Sequence, residues 1–148
     1  MEILLFTCPS CKSLNRLPKK EKYQKAKCGF CGANLLENRP IEIESPEEFV
    51  KIIEGVTVPV IVDFWAQWCG PCQIFAPTFR KVATQYPLKA NFLKVNIENP
   101  QLGGLATQLD IRSIPTIIAF KNRGEVDRLL GALPELQFAL WVEQLVEG

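Results

Sequence analysis

All six cysteines of this 148-residue chain lie in pairs that share a two-residue gap. The pairs are CPSC at Cys8 and Cys11, CGFC at Cys28 and Cys31, and CGPC at Cys69 and Cys72. This gap serves both metal-binding turns and redox-active dithiols. The spacing therefore indicates that each pair either binds a metal or acts as a redox-active dithiol. The residues around each pair distinguish these two roles.

The chain contains no histidine. This excludes a Ser-His-Asp triad, a Cys-His protease and any His-containing zinc site, so thiolates and carboxylates are the only ligands for a transition metal. No apolar run approaches the ~20 residues of a membrane span, and the short, acidic start differs from a secretory signal. The chain is therefore expected to be cytoplasmic, with no membrane partner, and its paired cysteines are expected to bind metal or catalyse.

Residues 1–40 predict a small separate module. They carry eight Lys/Arg and three Asp/Glu, for a net charge of +5, whereas residues 41–148 carry nine and thirteen, for −4. The first segment is poor in large hydrophobic residues, so it needs a structural metal or disulfide bonds to stabilise it in place of a full core. The ENRP stretch that ends at Pro40 is expected to be the linker.

The two N-terminal pairs fit one four-cysteine zinc site. Sixteen residues separate the first pair from the second, and this spacing is typical of sites in which two tight turns aim four sulfurs at one ion. One structural Zn²⁺ per chain is expected. Two redox pairs or four unligated thiols are the alternatives, but a module with so little core has little else to fold around. The predicted ligands are Cys8, Cys11, Cys28 and Cys31.

Residues 41–148 predict one α/β domain. Ser45, Pro46 and Glu48 mark the start of a helix, and the apolar, β-branched run at 58–66 is typical of a buried strand. The predicted element order is β-α-β-α-β-α-β-β-α, which makes a mixed sheet with helices on both faces. Pro77 is expected to kink the helix that follows CGPC.

The third cysteine pair has no matching partner pair, so it is not half of another four-cysteine site. Cys69 falls between a buried strand and a helix. The helix dipole and the free N–H groups at that position stabilise a thiolate. Cys72 lies one turn further on, within reach of a disulfide. A purely structural disulfide or an unused reduced pair is the alternative.

VDFWAQWCGPC together with SIPT resembles the thioredoxin family over roughly residues 41–148, and the module in front resembles that of its zinc-binding members. The resemblance implies a thioredoxin fold, which is a central mixed β-sheet with helices on both faces, preceded by a small zinc-ribbon-like module. It implies an oxidoreductase that reduces protein disulfides through a redox-active Cys69–Cys72 disulfide. Thioredoxin reductase is the implied electron donor. No bound organic cofactor is expected, and the protein is expected to be a monomer.

The resemblance also assigns roles to individual residues. Cys69 matches the exposed nucleophile and Cys72 the buried resolving cysteine. Asp63 matches a buried aspartate that takes the proton of Cys72, and its burial in an apolar strand is expected to raise its pKa. Lys94 matches a lysine that approaches this aspartate. The expected substrate surface, including a cis-proline at Pro115, consists of Trp68, Gly70, Pro71, Ile114, Pro115 and Gly131.

Two positions depart from the family pattern. Gln73 follows the second cysteine of CGPC, where a basic residue is common in the family. Arg123 adds one residue to the hairpin before Gly124. The loss of a cation at Gln73 is expected to make the Cys69 thiolate slightly less stable, and the longer hairpin is expected to cause only a local change.

Two competing functions stay open at this point. A disulfide oxidase or isomerase uses the same dithiol, but the Gly-Pro dipeptide between the cysteines matches the reducing proteins of this kind. A zinc-ribbon binding module for nucleic acid or an acidic protein is the other alternative, with the thioredoxin-like domain as an accessory. About +3 remains on residues 1–40 once four thiolates and Zn²⁺ are counted, and only Tyr23 and Phe30 are available to stack on bases. Nucleic acid is therefore the less favoured partner.

Overall fold

The computed structural model describes residues 2–147. They form two sheets and four helices. The strands are β1 (Ile3–Thr7), β2 (Leu14–Pro18), β3 (Ile41–Glu42), β4 (Val60–Trp65), β5 (Asn91–Asn96), β6 (Thr116–Lys121) and β7 (Gly124–Leu130). The helices are α1 (Pro46–Gly55), α2 (Gly70–Thr84), α3 (Gly103–Gln108) and α4 (Glu135–Glu147). Within residues 2–147, no helix is long and apolar enough to cross a membrane.

The larger sheet has the strand order β3-β5-β4-β6-β7. Strands β3, β5 and β4 run parallel, whereas β6 and β7 continue the sheet antiparallel. One face packs on α1 and α3 through residues such as Phe49 and Leu105, and the other packs on α2 and α4 through Phe79 and Phe138. The predicted element order and the mixed sheet with helices on both faces are confirmed. Helix α2 runs continuously through Pro77.

The start of α1 confirms the predicted N-terminal signals, with one difference. Ser45 is the N-cap, and its hydroxyl accepts a hydrogen bond from Glu48 N at 3.2 Å. The Glu48 carboxylate accepts from Glu44 N at 3.0 Å instead of from the N-cap residue itself. The same carboxylate binds the ammonium of Lys12 at 3.0 Å, so the first cysteine turn of the chain is tied to this helix.

Residues 2–40 form a β1–β2 hairpin and two cysteine-bearing turns, and they share a core with the rest of the chain. Phe6 and Leu35 are fully buried in one apolar cluster with Val58 and Leu88, which belong to the larger sheet's domain. The described N-terminal residues therefore bury more apolar surface than their composition indicates, and part of the surface that they bury against belongs to the other unit.

The expected linker is a fixed part of this interface. Asn38 is 3% exposed, and its amide group donates hydrogen bonds to the carbonyl oxygens of Ala83, Tyr86 and Ala90 at 3.0, 3.3 and 3.1 Å. These carbonyls lie at and beyond the end of α2, where helix carbonyls lack intrahelical partners. The prediction of a simple connecting stretch missed this role, because one asparagine in a polar segment gives no sign of a partner about fifty residues away.

A second asparagine, Asn91, joins the N-terminal hairpin to the larger sheet. Asn91 begins β5 and is fully buried. Its side-chain oxygen accepts from Thr7 N at 3.0 Å, and its amide donates to Thr7 O at 2.9 Å. Thr57 adds a second junction, because its hydroxyl accepts from Leu5 N at 2.9 Å and its own N–H donates to Leu5 O at 3.0 Å. The hairpin is thus hydrogen-bonded to the larger domain along β1.

Candidate active site and metal site

The four N-terminal cysteines come together at the tips of two turns. Their sulfur atoms all lie within 4.8 Å of one another. The two cross-turn pairs, Cys8 with Cys31 and Cys11 with Cys28, have Sγ–Sγ distances of 3.8 and 3.6 Å. A tetrahedral zinc with Zn–S bonds of about 2.3 Å separates its sulfurs by about 3.8 Å. The predicted ligand set therefore has a spacing that fits zinc.

Both turns contain the same backbone hydrogen bond, from the residue after the second cysteine to the carbonyl of the first cysteine. In the first, Lys12 N donates to Cys8 O at 2.8 Å, and in the second, Gly32 N donates to Cys28 O at 3.0 Å. Each donor residue has left-handed backbone, with φ of 66° at Lys12 and 77° at Gly32. Glycine adopts this region freely, whereas lysine does so at a cost. The bond from Lys12 to Glu48 holds the residue that is in the less favourable conformation.

Nearby N–H groups point at the sulfurs, as an anionic thiolate requires. Ser10 N donates to Cys8 Sγ, and both Phe30 N and the Asn15 amide donate to Cys28 Sγ, each at 3.4 Å. Burial opposes the charged form of Cys28, but these donors and the N–H of Cys31 outweigh burial and lower its pKa to about 6. These contacts favour the deprotonated sulfur at Cys28, the form that zinc binds. At Cys8, by contrast, burial raises the pKa of the thiol to about 11.

The third pair begins helix α2. Cys69 is the N-cap, and its sulfur accepts a hydrogen bond from Cys72 N at 3.2 Å. The two cysteines form a disulfide with their Cα atoms 5.2 Å apart. Gly70 and Pro71 occupy the first helical positions between them, where proline is favoured because its missing N–H would have no intrahelical partner. The strand-to-helix position expected of Cys69 is thus observed.

The predicted substrate-surface residues gather around this disulfide. The Ile114–Pro115 peptide bond is cis, and Cys69 Sγ lies 3.7 Å from Ile114 O. Gly131 N donates to Pro115 O at 2.9 Å, which brings the end of β7 to the same place. Trp68, the residue before Cys69, is 70% exposed. The exposed tryptophan and the Ile114 backbone thus border the disulfide.

The expected contrast between an exposed Cys69 and a buried Cys72 is small in this structure. Cys69 is 5% exposed and Cys72 is 2% exposed. Trp65, Ile97 and Ile114 pack against the pair and cover it. Sequence reasoning missed this cover because it comes from three segments that are distant along the chain.

Asp63 lies on the buried strand β4, as predicted. It has no exposed surface, and neither of its carboxylate oxygens has a hydrogen-bond partner among the described residues. Burial raises its pKa from 3.8 to about 7, the positive charge of Lys94 opposes the rise, and the negative charge of Glu42 adds to it. Lys94 pairs with Asp63 across β4 and β5, but its ammonium lies over the Trp65 ring, 4.5 Å from the centroid.

Sequence reasoning did not single out Glu42, although the alternation of side chains along neighbouring strands indicates which charged residues share a face of the sheet. Glu42 is the register partner of Lys94 on the neighbouring strand, and Lys94 is the register partner of Asp63. Register partners on parallel strands point to the same face of a sheet. The three charged side chains therefore share one face, on which Lys94 stands between two carboxylates.

A buried cysteine pair at the start of a helix, next to a cis-proline, together with a buried aspartate on the preceding strand, defines the class: this is a thiol–disulfide oxidoreductase with the thioredoxin fold. The family profile described as "Thioredoxin" matches residues 40–144, and the profile described as "Thioredoxin 2, N-terminal", a zinc ribbon, matches residues 7–33. The chain belongs to the thioredoxin family.

Individual relatives agree with this assignment. The chain is 37% identical to Thioredoxin C-3 of Corynebacterium nephridii, over 97% of both chains. It is 44% identical to a thioredoxin of Synechocystis, over 68% of this chain and 92% of that one. Among solved structures it is similar to the thioredoxin of Malassezia sympodialis, with a TM-score of 0.65 and 32% identity, over 74% of this chain and 92% of that one. The similarity to Thioredoxin C-3 includes the N-terminal region, whereas the similarity to the Malassezia thioredoxin leaves about a quarter of this chain unmatched.

Proposed function

We propose that this protein reduces disulfide bonds in other proteins, with Cys69 as the nucleophile and Cys72 as the resolving cysteine. The position of Cys69 at the start of α2 is the observation that supports this assignment most. Its sulfur accepts the N–H of Cys72, and the helix dipole also favours negative charge there. Cys69 is therefore the sulfur that ionises and attacks.

The reaction starts from the reduced dithiol. The Cys69 thiolate attacks one sulfur of the substrate disulfide, an S–S bond forms between them, and the other substrate sulfur leaves as a thiolate that takes a proton from water. Cys72 then loses its proton and attacks the Cys69 sulfur. The Cys69–Cys72 disulfide forms and the second substrate thiolate leaves, so two electrons have passed to the substrate.

Asp63 is the residue to which we assign the proton of Cys72, transferred through a water molecule. Its unpartnered carboxylate has a pKa of about 7, so both of its protonation states are populated near neutral pH, as a general base requires. We assign Lys94 the role of favouring the charged state of this carboxylate. Its register position opposite Asp63 supports that role.

The surface around the disulfide is where we propose that protein substrates bind. An extended substrate segment would pair with the Ile114 backbone and lie against the exposed Trp68 ring, because main-chain pairing at a free edge is a general mode of peptide recognition. The remaining members of the proposed surface are Gly70, Pro71, Pro115 and Gly131.

We propose that residues 1–40 form a zinc-binding unit and residues 41–148 a catalytic unit. One Zn²⁺ held by all four N-terminal cysteines has no open position for a substrate, so its role is structural. Thiolate ligands and a reducing dithiol both need a reducing compartment, and we place the protein in the cytoplasm for that reason. Thioredoxin reductase, with NADPH, is the proposed electron donor.

The test is insulin reduction with a small dithiol as electron source, followed by trapping. The Cys72→Ser variant should accumulate a mixed disulfide between Cys69 and the insulin chains, which a non-reducing gel resolves. If Cys72→Ser traps nothing and Cys69→Ser accumulates the mixed disulfide through Cys72 instead, the two cysteine roles are reversed. A salt-dependent shift with single-stranded nucleic acid, without insulin reduction, would favour a binding role for the ribbon instead.

A further inference from the structure

Gln67 lies in the short segment between β4 and Cys69, and side chains from two different elements bind its backbone. Its N–H donates to Glu98 Oε1 at 2.7 Å. Its carbonyl oxygen accepts from Gln73 Nε2 at 2.9 Å. Glu98 follows β5, whereas Gln73 lies in the first turn of α2. The two side chains thus hold one residue from both sides, and we call this arrangement the Gln67 clamp.

The clamp is itself fixed at both ends. Glu98 N donates to Asn96 Oδ1 at 2.9 Å, which holds the turn after β5. Gln73 N donates to Cys69 O at 3.1 Å, the first backbone hydrogen bond of α2. The clamp therefore connects the end of the β5 strand to the helix that carries the disulfide.

Trp68 is the residue whose position depends most on the clamp. It directly follows Gln67, and with 70% of its surface exposed it gains little from packing. A large side chain with few contacts is positioned mainly by its own backbone. The peptide unit that leads into Trp68 begins at the Gln67 carbonyl, which is the group that Gln73 binds.

We propose that Gln73, together with Glu98, is a positioning residue for substrate binding: the Gln67 clamp holds the backbone before Trp68 so that its ring and the neighbouring Cys69 meet a protein disulfide in one orientation. This inference rests on the proposed binding role of Trp68. Gln73 does not touch the reacting sulfurs in this proposal. It acts through the Gln67 carbonyl, and a neutral amide supplies the needed donor without adding charge near Cys69.

The test compares Gln73→Met with Gln73→Lys. Methionine keeps the length of the side chain but removes the donor, whereas lysine restores a donor. The matched control is Gln85→Met, since Gln85 is an exposed residue at the other end of the same helix. Second-order rate constants are measured by stopped flow for the reduced proteins, with insulin and with a small aromatic disulfide that releases a coloured thiol. Circular dichroism confirms that each variant is folded.

The expected result is a change in the ratio of the two rate constants. For Gln73→Met, the insulin constant divided by the small-disulfide constant should fall about five-fold, the factor that corresponds to about 1 kcal/mol of one lost hydrogen bond. Gln73→Lys should recover most of that ratio, and Gln85→Met should leave it unchanged. In proteins whose only tryptophan is Trp68, the fluorescence anisotropy should be lower for Gln73→Met than for the unmodified clamp, because the ring is then less firmly positioned.

Three outcomes would count against this inference. An unchanged ratio for Gln73→Met would overturn it, and so would a ratio that Gln73→Lys does not recover, because the donor would then not be what matters. If wild-type protein reduced the small disulfide but not insulin, the proposed function would fail, and the inference would fail with it.

Discussion

The protein contains two kinds of Cys-x-x-Cys site, and their backbones differ although their spacing does not. In the N-terminal turns, the residue after the second cysteine is left-handed, at Lys12 and Gly32, and the chain turns back on itself. In CGPC, the chain continues as a helix through Cys72. A reversed chain exposes the second cysteine of each turn, whereas the helix buries Cys72. The backbone at and after the pair, and not the gap within it, therefore distinguishes the four-cysteine cluster from the dithiol.

The two sites also differ in what holds them together. The disulfide belongs to a small buried cluster with Ala66, against which Trp65, Ile97 and Ile114 pack. The four N-terminal cysteines lie on two turns, and the buried cluster that includes Cys8 and Cys28 also includes Val58 and Leu88. The dithiol is thus supported by residues around the larger sheet, whereas the four-cysteine cluster packs partly against residues that are distant from its two turns.

The largest expected effect comes from replacing a single cysteine by serine in each of the two kinds of site. Cys69→Ser should abolish insulin reduction, because no other cysteine within residues 2–147 begins a helix, and should leave the zinc content at one ion per chain. Cys31→Ser should lose zinc, because three thiolates bind it less tightly, and should keep most of the reductase activity. A chromophoric chelator measures zinc, and insulin turbidity measures activity. Loss of activity in both variants would contradict the separation of the two sites.

Removal of residues 1–40 should be the next largest change. A chain that starts at Ile41 keeps the sheet and its two main clusters, so it should fold and reduce insulin. It also exposes Val58 and Leu88, each worth ~1.5–3 kcal/mol when buried. The free energy of unfolding should therefore fall by about 3–6 kcal/mol in a urea titration. An unfolded product would show that the two units are one cooperative domain.

A point variant in the full chain serves as the control for that truncation. Asn91→Ala removes the two hydrogen bonds to Thr7 and leaves buried backbone groups without partners, at a cost of about 1–3 kcal/mol each. It should destabilise the protein while zinc stays bound. Unchanged stability would mean that the hairpin contributes little to the larger domain.

Asp63→Asn should give a smaller effect that depends on pH. The folded pKa is about 7 against an ordinary value of 3.8, so the unfolded chain loses this proton first. Wild-type stability therefore falls as the pH rises from about 4 to about 7. The interval corresponds to about 4 kcal/mol at most, at 1.36 kcal/mol per pH unit. Asp63→Asn should match wild type near pH 4 and be more stable by up to that amount above pH 7.

The same variant separates catalysis from stability. If Asp63 takes the proton of Cys72, the resolving step of Asp63→Asn should be slower near neutral pH, by about ten-fold to a hundred-fold. Stopped-flow measurement of mixed-disulfide decay across pH gives the rate. Unchanged decay together with the expected stability gain would leave Asp63 a buried acid without a role as a base.

The sequence predicted what depends on local patterns, and it missed what depends on distant partners. The Ser45 cap, the apolar strand at β4 and the helix start after Cys69 are all local, and all three are observed. The contacts of Asn38 and Asn91 were missed, because an asparagine has the same appearance in a loop and in an interface. The Gln73 amide was missed for the same reason, since its partner is a backbone carbonyl that no side-chain pattern reveals.

The smallest expected effect tests the three charged residues that share one sheet face. Glu42 and Asp63 lie two strand spacings apart, about 10 Å, where two charges interact by about 1.7 kcal/mol at the effective dielectric constant of about 20 that suits protein sites. Glu42→Gln removes a negative charge, so the pKa of Asp63 should fall, by about one pH unit at most. Lys94→Gln removes a positive charge and should raise that pKa instead. The control is Glu44→Gln, an exposed residue further along the same segment.

The measurement is the pH titration of the Asp63 carboxyl by NMR in the oxidised protein. Glu42 also faces Lys12 and Glu44, so the control variant and a Lys12→Gln variant show whether these charges contribute. Opposite shifts in Glu42→Gln and Lys94→Gln would show that the edge strand β3 influences the buried aspartate of β4. Because Lys12 directly follows Cys11, a shift in Lys12→Gln would mean that the first cysteine turn and the strand that carries Asp63 are linked through charge. No shift in Lys12→Gln would limit their connection to the shared core.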